Sequence, residues 1–287
     1  VDGEVADPKE LPAHGRPSVG KLPPMCREFL RIGNFTVYSY GVLLLVGFLV
    51  ALWIASRRAE RYGISKEKIT GLAIWMLLAG IVGARLLFVA QDWPSYANDF
   101  GRIANLREGG MTSFGGLLGG FIVLLIWCRV TRTKFVTVMD AIMPAVLIGI
   151  GFGRIGCFLN GCCYGSECDL PWAVTVHAED GRTYLGHPAQ LYKTLMVWTA
   201  AALLIVWDRR SIKRGGLKPG QIGSAGFVLF GLARFVYEMF RIGVSSQPIQ
   251  GIGMTEAQVL SLAITLVALV WFIIASTRKT STGSAAA

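Results

Sequence analysis

Residues Gly149 to Gly165 read GIGFGRIGCFLNGCCYG, and one arginine, Arg154, stands in this glycine-spaced apolar segment. The segment otherwise has the character of a membrane-spanning helix. A guanidinium cannot shed its proton and is costly in hydrocarbon, so it must face the protein interior or a wet cavity and be matched to an anion. Arg154 is therefore the first functional candidate. The other long apolar segments read as the wall that holds it, together with Arg234, at one depth.

Composition supports that reading. The 287 residues are 53% hydrophobic and 16% charged with a mean hydropathy of +0.52, against about 25% charged in an ordinary soluble domain. The chain is expected to be an all-α integral membrane protein forming one bundle. Seven windows approach the roughly 20 apolar residues that cross hydrocarbon as a helix: 35–56, 69–91, 110–128, 136–160, 187–207, 219–240 and 254–276. The fourth and sixth are the least regular, because they contain Asp140 with Arg154 and Arg234 with Glu238. The apolar runs are continuous where a barrel would alternate, so strands are not expected. The domain reading is a polar, proline-bearing tail over 1–34, a seven-helix domain over 35–276 with a short insertion at 161–186, and a second tail over 277–287. Residues 1–34 lack the pattern of a signal peptide.

The formal charge of +10 is not gathered on one amphipathic face or interleaved with aromatics. It lies between apolar segments, where anionic lipid head groups and not nucleic acid are the partner. Links after the first, third and fifth windows hold Arg57, Arg58, Arg61, Lys66 and Lys68, then Arg129, Arg132 and Lys134, then Arg209, Arg210, Lys213, Arg214 and Lys218; Arg278 and Lys279 follow the last. The opposite links hold only Arg102, Arg107, Arg182 and Arg241, plus five basic residues in the N-terminal tail. This asymmetry places the amino terminus outside and the carboxy terminus in the cytoplasm, and makes the number of crossings odd. Arg154 and Arg234 then converge on the outer leaflet.

Arg234, Glu238 and Arg241 are spaced by four and three and share one helical face. They are read either as an internal Arg234–Glu238 pair with Arg241 at the head groups, or, with Arg154, as a positive surplus suited to a phosphate. In GGMTSFGGLLGG, the spacings Gly115–Gly119 and Gly116–Gly120 fit close helix packing or room for a lipid head group. His187, before Pro188 at the start of the fifth window, is a helix-end partner or the default proton acceptor. Cys157, Cys162, Cys163 and Cys168 do not show the separated pairs of a zinc site. A disulfide among the last three, small packing residues, and a metal or catalytic thiol stay open.

Taken together, these motifs resemble the prolipoprotein diacylglyceryl transferase family from about Tyr38 to Ser276. VYSYGVLLLVGFLVALWIASRRA, with Tyr40 before Gly41, is similar to its first span; GARLLF with Arg85 to its second; and GGMTSFGGLLGG to its third. FGRIGCFLNGCCYG resembles its signature, HPAQLY its fifth-span entry and ARFVYEMFR its sixth. The resemblance implies a seven-helix enzyme of the bacterial inner membrane, open to the periplasm and the outer leaflet. Such enzymes move the diacylglyceryl group of phosphatidylglycerol onto the lipobox cysteine of a preprolipoprotein, release glycerol 1-phosphate, and need no cofactor.

Carried over by position, Arg154, Arg234, Asn160, Gly165 and Tyr40 fall on functional positions of the family. With the readings above, the expected catalytic set is Arg154, Arg234, His187 and Glu238. The expected substrate-binding set is Tyr40, Arg85, Gly115, Gly116, Asn160, Gly165 and Arg241, with no metal. The chain departs from the family at Phe114, where some members have a histidine, and at Cys157, Cys162, Lys193, Phe230, Ile242 and Gly243. These departures bear on acceptor recognition. The alternatives are a member with the same lipid donor and another acceptor, and a transporter using Arg85, Asp140, Arg154 and Arg234; the chain lacks the paired half-repeats of the latter.

Overall fold

The computed structural model describes residues 28–32, 35–97, 101–104, 110–177, 182–212, 216–242, 249 and 253–277. Most of the two expected tails, with His14 and Cys26, lies outside the described residues, as do Arg107, Lys213, Arg214, Arg278 and Lys279 of the charge asymmetry.

Each of the seven apolar windows holds one long helix: α1 (Ser39–Ala59), α2 (Lys66–Gln91), α5 (Ser113–Val130), α6 (Phe135–Leu159), α7 (Ala189–Ile212), α8 (Gln221–Glu238) and α9 (Glu256–Thr277). Two single-turn helices, α3 (Trp93–Tyr96) and α4 (Gly101–Ala104), lie between α2 and α5. The ends follow local chemistry. The Ser65 hydroxyl accepts from Lys68 N at 3.4 Å and caps α2, and the Thr112 hydroxyl accepts from Gly115 N at 3.4 Å and caps α5.

Five helical stretches are long and apolar enough to cross a membrane: Ser39–Tyr62, Lys66–Gln91, Phe135–Leu159, Ala189–Ser211 and Glu256–Thr277. The apolar part of α5, Phe114–Val130, is shorter, and α8 carries Arg234 and Glu238 within its 18 residues.

The long elements are all helical, and the strands among the described residues are two short pairs outside them. β1 (Glu28–Ile32) pairs with β2 (Phe35–Tyr38), and β3 (Val174–His177) with β4 (Thr183–Gly186), both antiparallel. Segments such as VTVH and TYLG are too short to show as apolar runs, yet their β-branched and aromatic residues suit a pleated pair. β1 starts inside the stretch read as a tail.

α6 is the centre, packed against α1, α7 and α8, while α2 pairs with α5 and α8 with α9. Glycine decides the α2–α5 contact: a Cβ on Gly83, Gly115 or Gly119 would run into the facing backbone at Gly115, Gly83 and Ala79 respectively. The small-residue spacing of GGMTSFGGLLGG is thus a helix-packing device.

A polar lock closes one end of the bundle. Arg58 Nη1 meets Asp208 Oδ2 at 2.8 Å, and Arg58 also donates to the carbonyls of Ala141 (3.0 Å) and Asp140 (2.9 Å). The Asp140 carboxylate accepts from Gly220 N (2.5 Å) and Gly223 N (2.7 Å) at the start of α8. Its charge therefore serves a helix amino terminus. Fourteen residues further along α6, about 21 Å at 1.5 Å per residue, stands Arg154.

Candidate active site

The site is built where α6 ends beside the last turns of α8. Tyr237, fully buried, lies against both arginines singled out by sequence: the guanidinium carbon of Arg154 lies 5.1 Å from its ring centre and that of Arg234 5.4 Å. Arg154 Nη1 donates to the Tyr237 hydroxyl at 3.4 Å, and that hydroxyl donates to the Cys163 carbonyl at 3.3 Å. Arg234 Nη2 lies 3.1 Å from Glu238 Oε2, and Arg241 Nη1 lies 3.5 Å from Glu238 Oε1. The carboxylate is buried, whereas the side chains of Arg234 and Arg241 keep 23% and 19% of their surface open. Two guanidiniums therefore share one carboxylate, and Arg154 adds a third positive charge beside Tyr237, a grouping suited to an anion.

A fourth basic group lies close by. Lys193 on α7 is buried, its Nζ finds no hydrogen-bond partner among the described residues, and it sits 4.6 Å from the Phe230 ring centre. Its electrostatic neighbours are Arg154, Arg234 and Glu238.

The rim comes from the amino terminus of α1 and the loop after α6. Gly156 makes room for Tyr40: a Cβ there would lie 2.9 Å from the ring, which sets Tyr40 beside α6 within the electrostatic reach of Arg154 and Cys157. Asn160 ends α6, and its side chain hydrogen-bonds the Cys162 thiol. Gln190 Nε2 fixes the loop by donating to the Cys162 carbonyl at 2.7 Å. Gly165 is a crossing point, bridged to Arg241, with its N–H donating to the His187 carbonyl at 3.1 Å. A Cβ there would come within 2.6 Å of His187 and 2.8 Å of the Phe240 carbonyl, so only glycine fits.

In this loop the Sγ atoms of Cys157, Cys162 and Cys163 all lie within 4.8 Å of one another. All three are half-buried free thiols, and the Cys162 thiol donates to the Cys157 carbonyl at 3.6 Å. The neighbouring thiols of Cys157 and Cys162, then the nearby guanidiniums of Arg154 and Arg241, hold the Cys163 thiol below its ordinary range against the opposing effect of burial.

Of the sequence-derived candidates, Arg154, Arg234, Glu238 and Arg241 come together, and Tyr40, Asn160 and Gly165 border them. His187 lies at the rim through Gly165, its Nδ1 3.2 Å from the Tyr192 hydroxyl and its ring edge-on against Tyr192 and Phe240. Arg85 donates to the carbonyls of Ile103 (2.9 Å), Gly110 (3.1 Å) and Arg102 (2.6 Å), fastening the α2–α5 connection. Gly115 and Gly116 lie in the α2–α5 contact.

Tyr237, Lys193 and the three-thiol group are not apparent as site residues from spacing alone. For Tyr237 a signal exists: Arg234, Tyr237, Glu238 and Arg241 fall at steps of three, one and three, which is one helical face.

The family described as prolipoprotein diacylglyceryl transferase matches residues 27–274. Similar curated proteins include a phosphatidylglycerol–prolipoprotein diacylglyceryl transferase of Finegoldia magna, 32% identical over 217 residues, 76% of this chain and 84% of the relative. Proteins of that name from Bacillus cytotoxicus and Bacillus cereus are 28% and 27% identical over 264 and 263 residues, in each case 89% of this chain and 94% of the relative.

Proposed function

The chain belongs to the prolipoprotein diacylglyceryl transferase family, and on that footing we propose that it is a multi-pass enzyme transferring the diacylglyceryl group of phosphatidylglycerol to the lipobox cysteine of a preprolipoprotein. The proposal includes seven crossings of a bacterial inner membrane, an external amino terminus, and an active site facing the periplasm.

In the reaction, a thiolate sulfur attacks the diacylglyceryl carbon that bears the phosphate ester. The C–S bond forms as the C–O bond breaks, and glycerol 1-phosphate departs with the electron pair. Charge builds on the departing phosphoryl oxygens, where fixed guanidiniums act most strongly; loss of one such donor costs on the order of 3 kcal/mol in barrier. Arg154 and Arg234 are assigned to the phosphate. Glu238 holds Arg234 and Arg241 in place, and Tyr40, Asn160 and Gly165 shape the rim against which the lipid and the acceptor lie. The supporting observation is that Arg154 and Arg234 both lie against the Tyr237 ring, with Arg234 and Arg241 sharing the buried Glu238 carboxylate.

The test is stoichiometric. Purified protein in phosphatidylglycerol-containing detergent micelles is expected to consume lipid only when a lipobox peptide is present, with one glycerol phosphate released per thioether. Lipid consumption without the peptide would overturn the reading. A second reading keeps the donor and changes the acceptor, and is favoured by Lys193, a buried cation where the family resemblance leads one to expect a glutamate. Exchange of the acceptor peptide in the same assay separates the two.

A further inference from the structure

We propose that Cys157, Cys162 and Cys163 form a zinc site with one open coordination position, and that this position takes the incoming acceptor thiol as a thiolate. The proposal rests on the transferase reading for the identity of that thiol.

The geometry comes first. Three Sγ atoms lie within 4.8 Å of one another, and a tetrahedral zinc with Zn–S bonds of about 2.3 Å sets its sulfurs roughly 3.8 Å apart. Closing the group takes shifts of about 1 Å at most, within reach of thiol rotamers. Zinc ligands usually come in pairs separated by two to four residues, and the steps of five and one here do not read that way. The fold supplies the reason they meet. Cys157 sits on the last turn of α6, and Gly161 (φ 69°) and Cys163 (φ 62°) in the left-handed region turn the chain back over the helix end. A non-glycine residue held there marks a constrained position.

The ligand count argues for an open site. Structural zinc is closed by four protein ligands, whereas catalytic zinc keeps three and leaves one position free. Among the described residues, Cys168 is not part of the group, which leaves three thiols that are not fully buried.

The surroundings suit the charge. Three thiolates and one Zn²⁺ carry a net charge of −1, beside Arg154 and within the field of Arg241. Asn160 bonds the Cys162 thiol and Gln190 holds the Cys162 carbonyl, the kind of outer support that orients metal ligands.

The chemistry answers a need of the reaction. A free thiol with pKa near 8.5 is mostly protonated at neutral pH. A thiol that coordinates zinc gives up its proton outright. The acceptor would bind as R–S⁻ with release of H⁺ to solvent, attack the glyceryl carbon, and leave zinc as the neutral thioether, while the phosphate departs toward Arg154. Zinc changes neither oxidation state nor amount.

The full chain, purified in detergent, reduced and metal-free, is titrated with Co²⁺ as a spectroscopic stand-in for Zn²⁺. Expected is a thiolate-to-cobalt charge-transfer band saturating at one equivalent and reversed by Zn²⁺. A lipobox peptide should shift the cobalt d–d bands while its cysteine-to-serine analogue does not. C157S and C163S should weaken cobalt binding at least roughly 100-fold, beyond the 10- to 100-fold of outer-ligand changes, and C168S should leave it unchanged. Absence of the band in reduced wild-type protein, or thiols that resist alkylation because they are paired as a disulfide in the protein as isolated, overturns the site. A band that ignores the peptide overturns its role in activating the thiol. Full transfer by metal-free protein sinks the metal and leaves the transferase reading standing; a normal cobalt spectrum without any transfer from phosphatidylglycerol does the reverse.

Discussion

Arg154 donates to the hydroxyl of Tyr237 across the junction of α6 and α8, at 3.4 Å, and the same hydroxyl donates to the carbonyl of Cys163. One buried tyrosine therefore ties the arginine proposed for the phosphate to the thiol-bearing loop. Tyr237→Phe keeps the ring under both guanidiniums and removes only the hydroxyl bridge. A hydrogen bond of this kind contributes about 1 kcal/mol, so transfer should fall about 5-fold, read as kcat in micelles with little change in melting temperature. Unchanged kcat would remove Tyr237 from the site.

Lys193 is buried with its Nζ unpartnered among the described residues. Lys193→Met removes a buried charge and keeps the volume, a change that is often neutral or stabilising. The melting temperature should hold or rise while KM for phosphatidylglycerol rises roughly 5- to 10-fold, because a cation neighbouring Arg154 and Arg234 is gone. If KM stays constant as stability rises, Lys193 does not face the lipid.

The Arg58–Asp208 pair sits at the far end of α6 and touches no residue of the site. Arg58→Ala leaves Asp208 buried with its principal cation missing and should destabilise the fold by about 3–5 kcal/mol. Thermal unfolding in detergent should show this, while the specific activity of the folded fraction is retained. A selective loss of activity at full stability would tie this end to the chemistry.

Gly115 separates packing from lipid binding. Gly115→Leu drives a side chain into the backbone of α2 at Gly83 and into Leu87, so overpacking should cost about 1–3 kcal/mol or more and lower the melting temperature with KM unchanged. A higher KM at an unchanged melting temperature would restore Gly115 to the lipid site.

What could be read in the sequence follows physical rules. The helices α1, α2, α6, α7 and α9 announce themselves as apolar runs of bilayer length, and Arg154, Arg234 and Glu238 stand out because charge in such runs is costly. Asp140 stands out for the same reason, yet its partners Gly220 and Gly223 lie 80 and 83 residues away, a distance that no local pattern spans. Tyr237 on an apolar helix reads as core until both guanidiniums are placed over its ring. The thiols of Cys157, Cys162 and Cys163 converge only because two left-handed residues fold the loop over the end of α6. The β3–β4 hairpin is missed for a plainer reason: four-residue strands leave no periodicity to detect.

The most direct measurement is the rate of thioether formation by Arg154→Ala with phosphatidylglycerol and a lipobox peptide, at a melting temperature matched to the parent protein. Loss of a guanidinium that stabilises the departing phosphate, on the order of 3 kcal/mol, corresponds to a fall of about 100-fold or more in kcat/KM. A rate within twofold of the parent would contradict the assignment of Arg154 to the lipid phosphate.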